Sequence, residues 1–521
     1  MKKSKDERVS YLSFLITQAI NGFEKYKPYF LSLQEAYLLE NEAISRLKKK
    51  NKSSIYIPKI NSKVKFLITS LNDVYFNSER MADINSYINS DENIISLWQE
   101  AIDFYTEKLN LFKTFQPLFL DVILVGTSIA KLTWHKNSPR IERVGIENIF
   151  FDPNALNSED VSFLVNEIYL NISEIKERQK LGFYKKLEID GYFDENNPYE
   201  KLKLYDIYEK IDDEWYVSTL LENDLLRDKV FLQDGQPFIW GSMLAQLKKI
   251  DNDDFISAYG EPIMSSALPL QDEINMTRNL LIDSVRTHIS PKIIIPKSMG
   301  VSKEDIETLS RPIYADDPKA VQVMPLPNIN SASLNLQILE SELTEVTGIS
   351  PQNNGAQTAK NETATEISIK AQEGGRRSAD YIRQYNESFI EPLFDRLAKL
   401  VYKYADDSFF NGYTREDIPS FRFVIQTGTG AMNKEVRRAG LQSSIATFSQ
   451  LYQMYMSVGD LEKAIGVIEA CKELSKELIQ ILGIKNINNL FSFENAQQNS
   501  QMQQMQQLQL MQGANNAWFG I

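Results

Sequence analysis

The sequence has little that could hold a soft metal or close a covalent cross-link. One cysteine, Cys471, and two histidines, His135 and His288, are all that 521 residues contain. A disulfide within the chain is excluded, and a reducing compartment is the natural reading. Cys471 sits in a helical pattern and reads as a small buried apolar residue. The histidines stand alone, with neither HExxH nor His–Cys spacing, so a zinc centre has no ligand set. Long apolar runs are missing as well. The basic start of MKKSKDERVSYLSFLI leads into a run broken at Ser10, Ser13 and Thr17. No other window holds the roughly 18 uninterrupted apolar residues of a membrane span. The expectation is a soluble chain with no membrane partner and no export by an N-terminal leader.

Positive charge is also in deficit. The 57 Lys and Arg face 70 Asp and Glu, giving a formal net charge of -13. That excludes a general basic coating for duplex DNA. It leaves room for a surface that DNA slides past, since an acidic wall repels phosphates. Catalytic patterns are absent too. No GxxxxGK[ST] loop and no nucleophile elbow occur, Gly428-Thr-Gly430 reads as a plain turn, and Asp251-Asn-Asp-Asp254 lacks the glycine of a calcium loop. This last run reads as a solvated loop. Neither an enzyme nor a cofactor is expected.

What is present is a sequence of modules, two to four by length. Up to about residue 120, apolar residues recur at helical spacing: Leu12, Phe14, Leu15, Ile20, Phe23, then Val64, Phe66, Leu67, Leu71, Val74, Phe76. Asn51 to Lys63, with Pro58, interrupts them, and a third helix is predicted from Asp91 to Phe115. From Gly126 to about Trp240 the texture turns to strands, as in Ile129–Trp134, Arg140–Val144, Ile149–Phe151, Lys203–Tyr208 and Glu214–Thr219. Ser173–Lys180 reads as a short helix capped near Asn171 or Ser173. The module is α+β on antiparallel pairs.

Next comes a bracketed unit. Leu270–Ile289 reads as a helix with Asp272 and Glu273 in its first turn and Arg286 and His288 in its last, an order that suits the helix dipole. Pro291, a short strand Ile293–Ile295, a capped turn from Ser302 to Ser310 and a second strand Val321–Met324 follow. A helix Ser333–Thr347 then ends at Gly348 and Pro351. Beyond a polar loop, Ser350–Lys360, a long helix runs from Glu362 to Tyr404 and contains the helix-bending residues Gly374, Gly375 and Pro392. A strand Phe421–Ile425, two or three helices over Asn433–Leu482, and a Gln/Met tail complete the chain.

This order of parts, a strand-rich module, helix, insert, helix, polar loop and long bent helix, resembles that of bacteriophage portal (head-to-tail connector) proteins of the podovirus type. Local motifs agree. Thr363-Ala-Thr-Glu-Ile367 is similar to the start of the long helix in such connectors. Leu124-Val-Gly-Thr-Ser-Ile-Ala-Lys-Leu-Thr-Trp134 with Phe151-Asp-Pro-Asn-Ala155 resembles their wing segment, and Tyr259-Gly-Glu-Pro262 with Gln271 and Asn275 resembles the approach to the first stem helix. The resemblance spans roughly Lys63 to Leu482.

The resemblance implies a mainly helical α+β portal fold, with wing, stem, clip and crown, that assembles as a ring. Residues 1–260 would be wing, 261–289 the first stem helix, 290–330 the clip and 331–349 the second stem helix. Residues 350–361 would be the tunnel loop, 362–432 the long wing helix and return strand, 433–485 the crown, and 486–521 a tail or helical barrel. Implied partners are a ring of twelve copies, double-stranded DNA passing without sequence preference, the major capsid protein, the terminase large subunit and tail adaptor proteins. The implied location is the capsid vertex of a virion assembled in the host cytoplasm. A head–tail adaptor is the alternative, though such proteins are shorter and have no bracketed insert.

Candidate residues follow. Glu340, Glu342 and Glu345, with no Lys or Arg between Ser331 and Pro351, would give rings of negative charge along a channel; an ordinary solvated helix face is the other reading. Asn353, Asn354, Gln357 and Lys360 could reach DNA, or belong to a plain connector. Lys297, Lys303, Glu304, Arg311, Asp316 and Asp317 would meet clip partners. The apolar positions Ile274, Leu281, Ile282, Val285, Leu336, Leu339, Leu343 and Val346 could join neighbouring subunits or pair two helices of one chain.

Overall fold

The computed structural model describes residues 5–50, 52–76, 80–86, 92–155, 159–188, 190–192, 200–250, 253–289, 293–294, 322–323, 330–349, 377–406, 409, 421–425 and 434–458, with scattered helical positions between Lys463 and Leu478. The chain divides into two compact units, Met1–Thr429 and Gly430–Ile521. The fold is mixed α+β, and every strand pairing among the described residues is antiparallel.

The N-terminal helices follow their apolar spacing. Helix α1 (Lys5–Tyr26) buries Leu12, Leu15, Ala19, Phe23 and Tyr26. Helix α2 (Pro28–Tyr37) starts on a proline, where the missing N–H costs nothing. Helix α3 (Glu42–Lys49) is capped by Asn41, whose side chain accepts from Ile44 N at 3.1 Å. Helix α4 (Lys59–Phe76) begins directly after Pro58, so the expected interruption ends before Lys63.

The single helix expected over Asp91–Phe115 is two. Helices α5 (Glu92–Leu109) and α6 (Leu111–Leu124) are separated by Asn110 in a left-handed conformation, φ 50°. Asparagine tolerates that conformation better than most residues, and α6 carries Pro117 inside it. The helical region also contains a strand, β1 (Ala82–Ser86), paired with β14 (Phe421–Ile425).

The β-rich region extends past Trp240 to Gly260. Strands β2 (Ser128–His135), β3 (Ser138–Arg143) and β9 (Phe238–Gly241) form one sheet in the order β3-β2-β9. Strands β4 (Ile149–Phe151), β5 (Phe163–Asn171), β6 (Lys201–Ile211), β7 (Glu214–Leu221) and β8 (Asp224–Phe231) form a five-stranded meander. Helix α7 (Ile172–Lys180) follows β5 and carries a full capping box between Asn171 and Glu174. A hairpin of β10 (Ala245–Ile250) and β11 (Asp253–Gly260) closes the region. Asp253 and Asp254 are therefore strand residues paired with Ile250 and Lys249, and Asp251 and Asn252 lie outside the described residues.

Helix α1 is clamped onto the meander by a buried arginine. The Arg8 guanidinium donates to Asp228 Oδ1 (3.0 Å), to Ser218 Oγ (3.2 Å) and to Glu209 through both terminal nitrogens. Tyr26, at the other end of α1, stacks on Tyr259 with centroids 4.6 Å apart and donates to Gly260 O at 2.7 Å. At that crossing Gly126 has φ +90°, and a Cβ on it would lie 2.4 Å from Gly260 O.

Helix α8 (Leu268–Ile289) starts earlier than Leu270, so Asp272 and Glu273 fall outside its first turn, while Arg286 and His288 do close its last. Strands β12 (Ile293–Ile294) and β13 (Gln322–Val323) pair antiparallel, and helix α9 (Asn330–Thr347) returns the chain along α8. Ile274, Leu281, Leu339 and Leu343 are buried, whereas Val285 and Val346 are exposed. The apolar positions thus build a helix pair within one chain and leave part of their number uncovered.

The described part of the long helix spans 377–404: residues 377–385, a π turn Asn386–Ile390 and helix α10 (Glu391–Tyr404). Pro392 has no N–H for the carbonyl four residues back, and the wider π turn just before it takes up the mismatch. The proline modifies the helix without ending it. Ser388 in that turn holds Ser242, accepting from its N–H (3.1 Å) and donating to its carbonyl (3.0 Å). Tyr385, buried, reaches Ser128 Oγ at 3.0 Å and stacks on Phe389. The expected Gly374–Gly375 bend lies outside the described residues.

The second unit contains helix α11 (Lys434–Val458) and further helical residues up to Leu478, in keeping with the helices expected there. Cys471 is only partly buried, which corrects its reading as a core residue.

Gly126→Ala is expected to destabilise the first unit by roughly 2–5 kcal/mol, the sum of a strained left-handed residue and a backbone clash. Thermal unfolding of the variant beside the parent measures this; an unchanged midpoint contradicts the packing at the Gly126–Gly260 crossing.

Candidate functional site

One face of α8 carries carboxamides and a carboxylate at intervals of four: Gln271, Asn275, Asn279 and Asp283. Residues so spaced lie on one stripe, about 6 Å apart along the axis. An extended chain advances about 6.6 Å every two residues. The segment Ser53–Ile57 runs extended along that stripe and presents alternate backbone groups to it. Ser53 N donates to Asp283 Oδ1 (2.9 Å), Ile55 N to Asn279 Oδ1 (2.7 Å) and Ile57 N to Asn275 Oδ1 (2.9 Å). The amides also give back: Asn279 Nδ2 donates to Ile55 O (2.8 Å) and Gln271 Nε2 to Ile57 O (2.7 Å). Gln271 Oε1 finally accepts from Ile60 N (3.0 Å), one of the free N–H groups in the first turn of α4.

Gln271, Asn275 and Asn279 are each 1 % exposed or less, as buried as core leucines. A neutral amide with both donor and acceptor can satisfy a backbone unit without burying charge, which is why Gln271 and Asn279 tolerate the interior, whereas Asn275 uses its oxygen alone and its Nδ2 is buried with no hydrogen-bond partner among the described residues. The ladder makes α8 the backing of a strand-like segment that has no β partner among the described residues.

A second joint lies along the C-terminal half of α9. Lys59 Nζ pairs with Glu340 at 2.7 Å, and Lys63 Nζ donates to Ile349 O at 2.7 Å. Gly348, at φ +67°, turns the chain out of the helix just before that carbonyl. Lys63 is buried, and burial, followed by the neighbouring Lys59 charge, lowers its pKa to about 8 against the opposing pull of Glu340. Two cations of α4 thus hold α9, one within its C-terminal half and one at the turn immediately ahead of residue 350.

The three acidic candidates do not share one role. Glu342 and Glu345 are exposed on the α9 face that also carries the exposed Leu334 and Ile338. Glu340 lies on another side and is engaged by Lys59. On α8, Met276 and Leu280 are exposed, opposite the buried Ile274 and Leu281. Asn353, Asn354, Gln357 and Lys360, and Lys297, Lys303, Glu304, Arg311, Asp316 and Asp317, lie outside the described residues. Sequence reasoning missed the ladder, although its signal was present: four polar residues at i, i+4, i+8 and i+12 in a helix otherwise expected to pack. It also missed Lys63, whose burial no local pattern announces.

Among the described residues, no group of three or more His, Cys, Asp or Glu could hold a metal ion, and no helix is long and apolar enough to cross a membrane. The architecture defines a structural class: an antiparallel α+β body from which a helix pair brackets a small strand-paired insert. A family model described as phage SU10 portal protein matches residues 133–516, well over half of the chain. The chain belongs to this family of phage portal proteins. No curated protein matches it.

Asn279→Ala would leave the N–H and carbonyl of Ile55 without partners, at about 1–3 kcal/mol for each orphaned group. Amide exchange across Ser53–Ile60 is expected to accelerate by at least roughly tenfold; unchanged protection would remove the ladder from the stability of this joint.

Lys63 binds its proton more weakly folded than unfolded, so the unfolded chain holds more protons between pH 8 and the ordinary lysine range. Parental stability should therefore rise with pH across that window, by about 2 kcal/mol between pH 7 and about 9.5 relative to Lys63→Met. Denaturant unfolding of both proteins at the two pH values measures the difference, and parallel behaviour of the two would place Lys63 in solvent.

Proposed function

We propose that the chain forms a closed ring at one vertex of a phage capsid and that double-stranded DNA enters and leaves the capsid through it. The observation that carries this reading is the family match over residues 133–516. The α8–α9 pair supplies the physical support. It is held against α4 by the amide ladder and by Lys59 and Lys63, yet exposes Met276 and Leu280 on one helix and Leu334 and Ile338 on the other. A head-to-tail interface needs two different exposed surfaces on each subunit and closes into a ring when the rotation permits. The α8–α9 pair serves as the stem, with about twelve copies as in related rings.

In this reading the exposed face of α9 divides along its length: Leu334 and Ile338 in its first half meet the neighbouring subunit, and Glu342 and Glu345 further along line the channel as repeated carboxylates. Phosphates are repelled from the wall, so that DNA does not settle in one register. Glu340, neutralised by Lys59, contributes to the joint and not to the lining. Asn353, Asn354, Gln357 and Lys360 form the loop nearest the DNA. Lys297, Lys303, Glu304, Arg311, Asp316 and Asp317 belong to the clip, where the terminase large subunit and later the tail adaptor dock. The outer body, with the 1–260 region, meets the major capsid protein, and the crown begins at residue 433.

Negative-stain imaging of the purified chain tests the ring: closed particles with a central hole of duplex width are expected, and monomers or open filaments would refute the proposal. Leu280, 57 % exposed in the single chain, should tolerate Asp without loss of folding while the ring dissociates, as read by sedimentation. Reversing Glu342 and Glu345 to Lys should leave rings intact and cut packaged DNA by roughly tenfold through phosphate trapping; normal packaging would remove these two residues from the channel wall.

A further inference from the structure

We infer that the exposed face of α3 and the turn after it form a binding site for the phosphate backbone of double-stranded DNA, distinct from the acidic channel wall. Five of the seven residues from Arg46 to Lys52 are basic, in a chain whose net charge is -13. Helix α3 buries only Ile44. Arg46, Lys48, Lys49, Lys50 and Lys52 are all exposed. At 100° per residue, Arg46, Lys49 and Lys50 fall on the side of the helix opposite Ile44. The turn then doubles back: Lys50 N and Lys52 N both donate to Leu47 O, at 3.0 and 3.1 Å, which brings Lys52 beside the last turn of the helix.

The amide ladder fixes this patch to α8, since Ser53 N is held by Asp283. The polar stripe of α8 continues toward its C-terminal end with Arg286, a sixth cation, 64 % exposed at its side chain. Three of the acidic groups nearby are already engaged. Glu42 pairs with Arg46 (2.7 Å), Asp272 accepts from Asn41, and Asp283 accepts from Ser53 and Arg286. Among the described residues, Lys48, Lys49, Lys50 and Lys52 have no carboxylate partner.

A cation or two at a helix C-terminus is accounted for by the dipole. A run that continues past the helix and stays unpaired is not. The kind of partner follows from the residue type. Protein interfaces are depleted in lysine and enriched in aromatic residues and arginine, and the outward face of α3 has no aromatic residue. Flexible ammonium groups without shape complementarity suit phosphates, whose neutralisation releases counterions and requires no fixed geometry. The rest of the chain, being acidic, would concentrate DNA contact at this face. The inference concerns binding and does not depend on the chain forming a channel.

Fluorescence anisotropy of a labelled duplex of about 30 base pairs against the full chain, titrated over a range of salt, tests it. Replacing Lys48, Lys49, Lys50 and Lys52 together by Gln should weaken binding at low salt by at least roughly tenfold and flatten the slope of log affinity against log salt by up to about 3.6, near 0.9 per lost contact. The same four positions changed to Arg should bind as the parent does, which separates lost charge from a folding defect. Gln at Lys180, Lys185, Lys186 and Lys201, exposed lysines elsewhere, should change nothing. The inference is overturned if the parent does not bind the duplex, if the α3 variant binds like the parent, or if both lysine sets weaken binding equally. It is overturned as well if poly-glutamate displaces the duplex at equal charge concentration, which would mark the patch as a site for an acidic polypeptide.

Discussion

The central constraint in the described structure is the match between a helix read every four residues and an extended chain read every two. Gln271, Asn275, Asn279 and Asp283 turn one face of α8 into a template for the backbone of Ser53–Ile60. Through it the N-terminal helices acquire a fixed relation to the α8–α9 pair. α3 hangs from one end of the segment and α4 grows from the other. The Lys59–Glu340 and Lys63–Ile349 contacts then secure α9 from the same helix. A single polar stripe therefore sets where the exposed apolar positions, the exposed carboxylates and the basic turn stand relative to one helix pair.

The chemistry of these joints differs in ways that matter for a protein handling a polyelectrolyte. Neutral amides in the interior are insensitive to salt and to pH, whereas exposed ion pairs such as Lys59–Glu340 are screened. Charge of either sign is segregated: exposed carboxylates toward the end of α9, ammonium groups on α3 and the turn after it. The chain-wide acidity that argued against a basic coating is thus compatible with a local basic face, because net charge averages over surfaces that never meet the same partner.

Much of the secondary structure was legible in the sequence because its signals are local. The Asn171 cap, the end of α9 at Gly348, and strand β14 at Phe421–Ile425 stand where residue chemistry placed them. Long-range choices were not legible. Nothing in Ala82–Ser86 announces a partner more than three hundred residues away, and the break at Asn110 is a backbone choice that the apolar pattern on either side conceals. The site was legible in outline, through the order of helix, insert and helix that pointed to the portal family. Its division of labour was not: Glu340 and Glu345 look equivalent in sequence, and only the arrival of Lys59 separates them. The polar stripe was visible in spacing, but its meaning required the segment it binds.

The two repeats in the ladder are close but unequal, about 6 Å on the helix against about 6.6 Å on the extended chain. They act as a vernier, drifting by roughly half an ångström with each rung. Such a device is in phase over only a few rungs. The longest side chain of the stripe, Gln271, stands at the end where α4 begins, and it alone spans two backbone positions, Ile57 O and Ile60 N. Sliding the segment by one residue would turn its other edge to the helix and lose the paired bonds together. The joint is consequently indexed: it has one setting, and motion imposed on α8 is passed to the N-terminal helices as displacement of a single body, without slip between them.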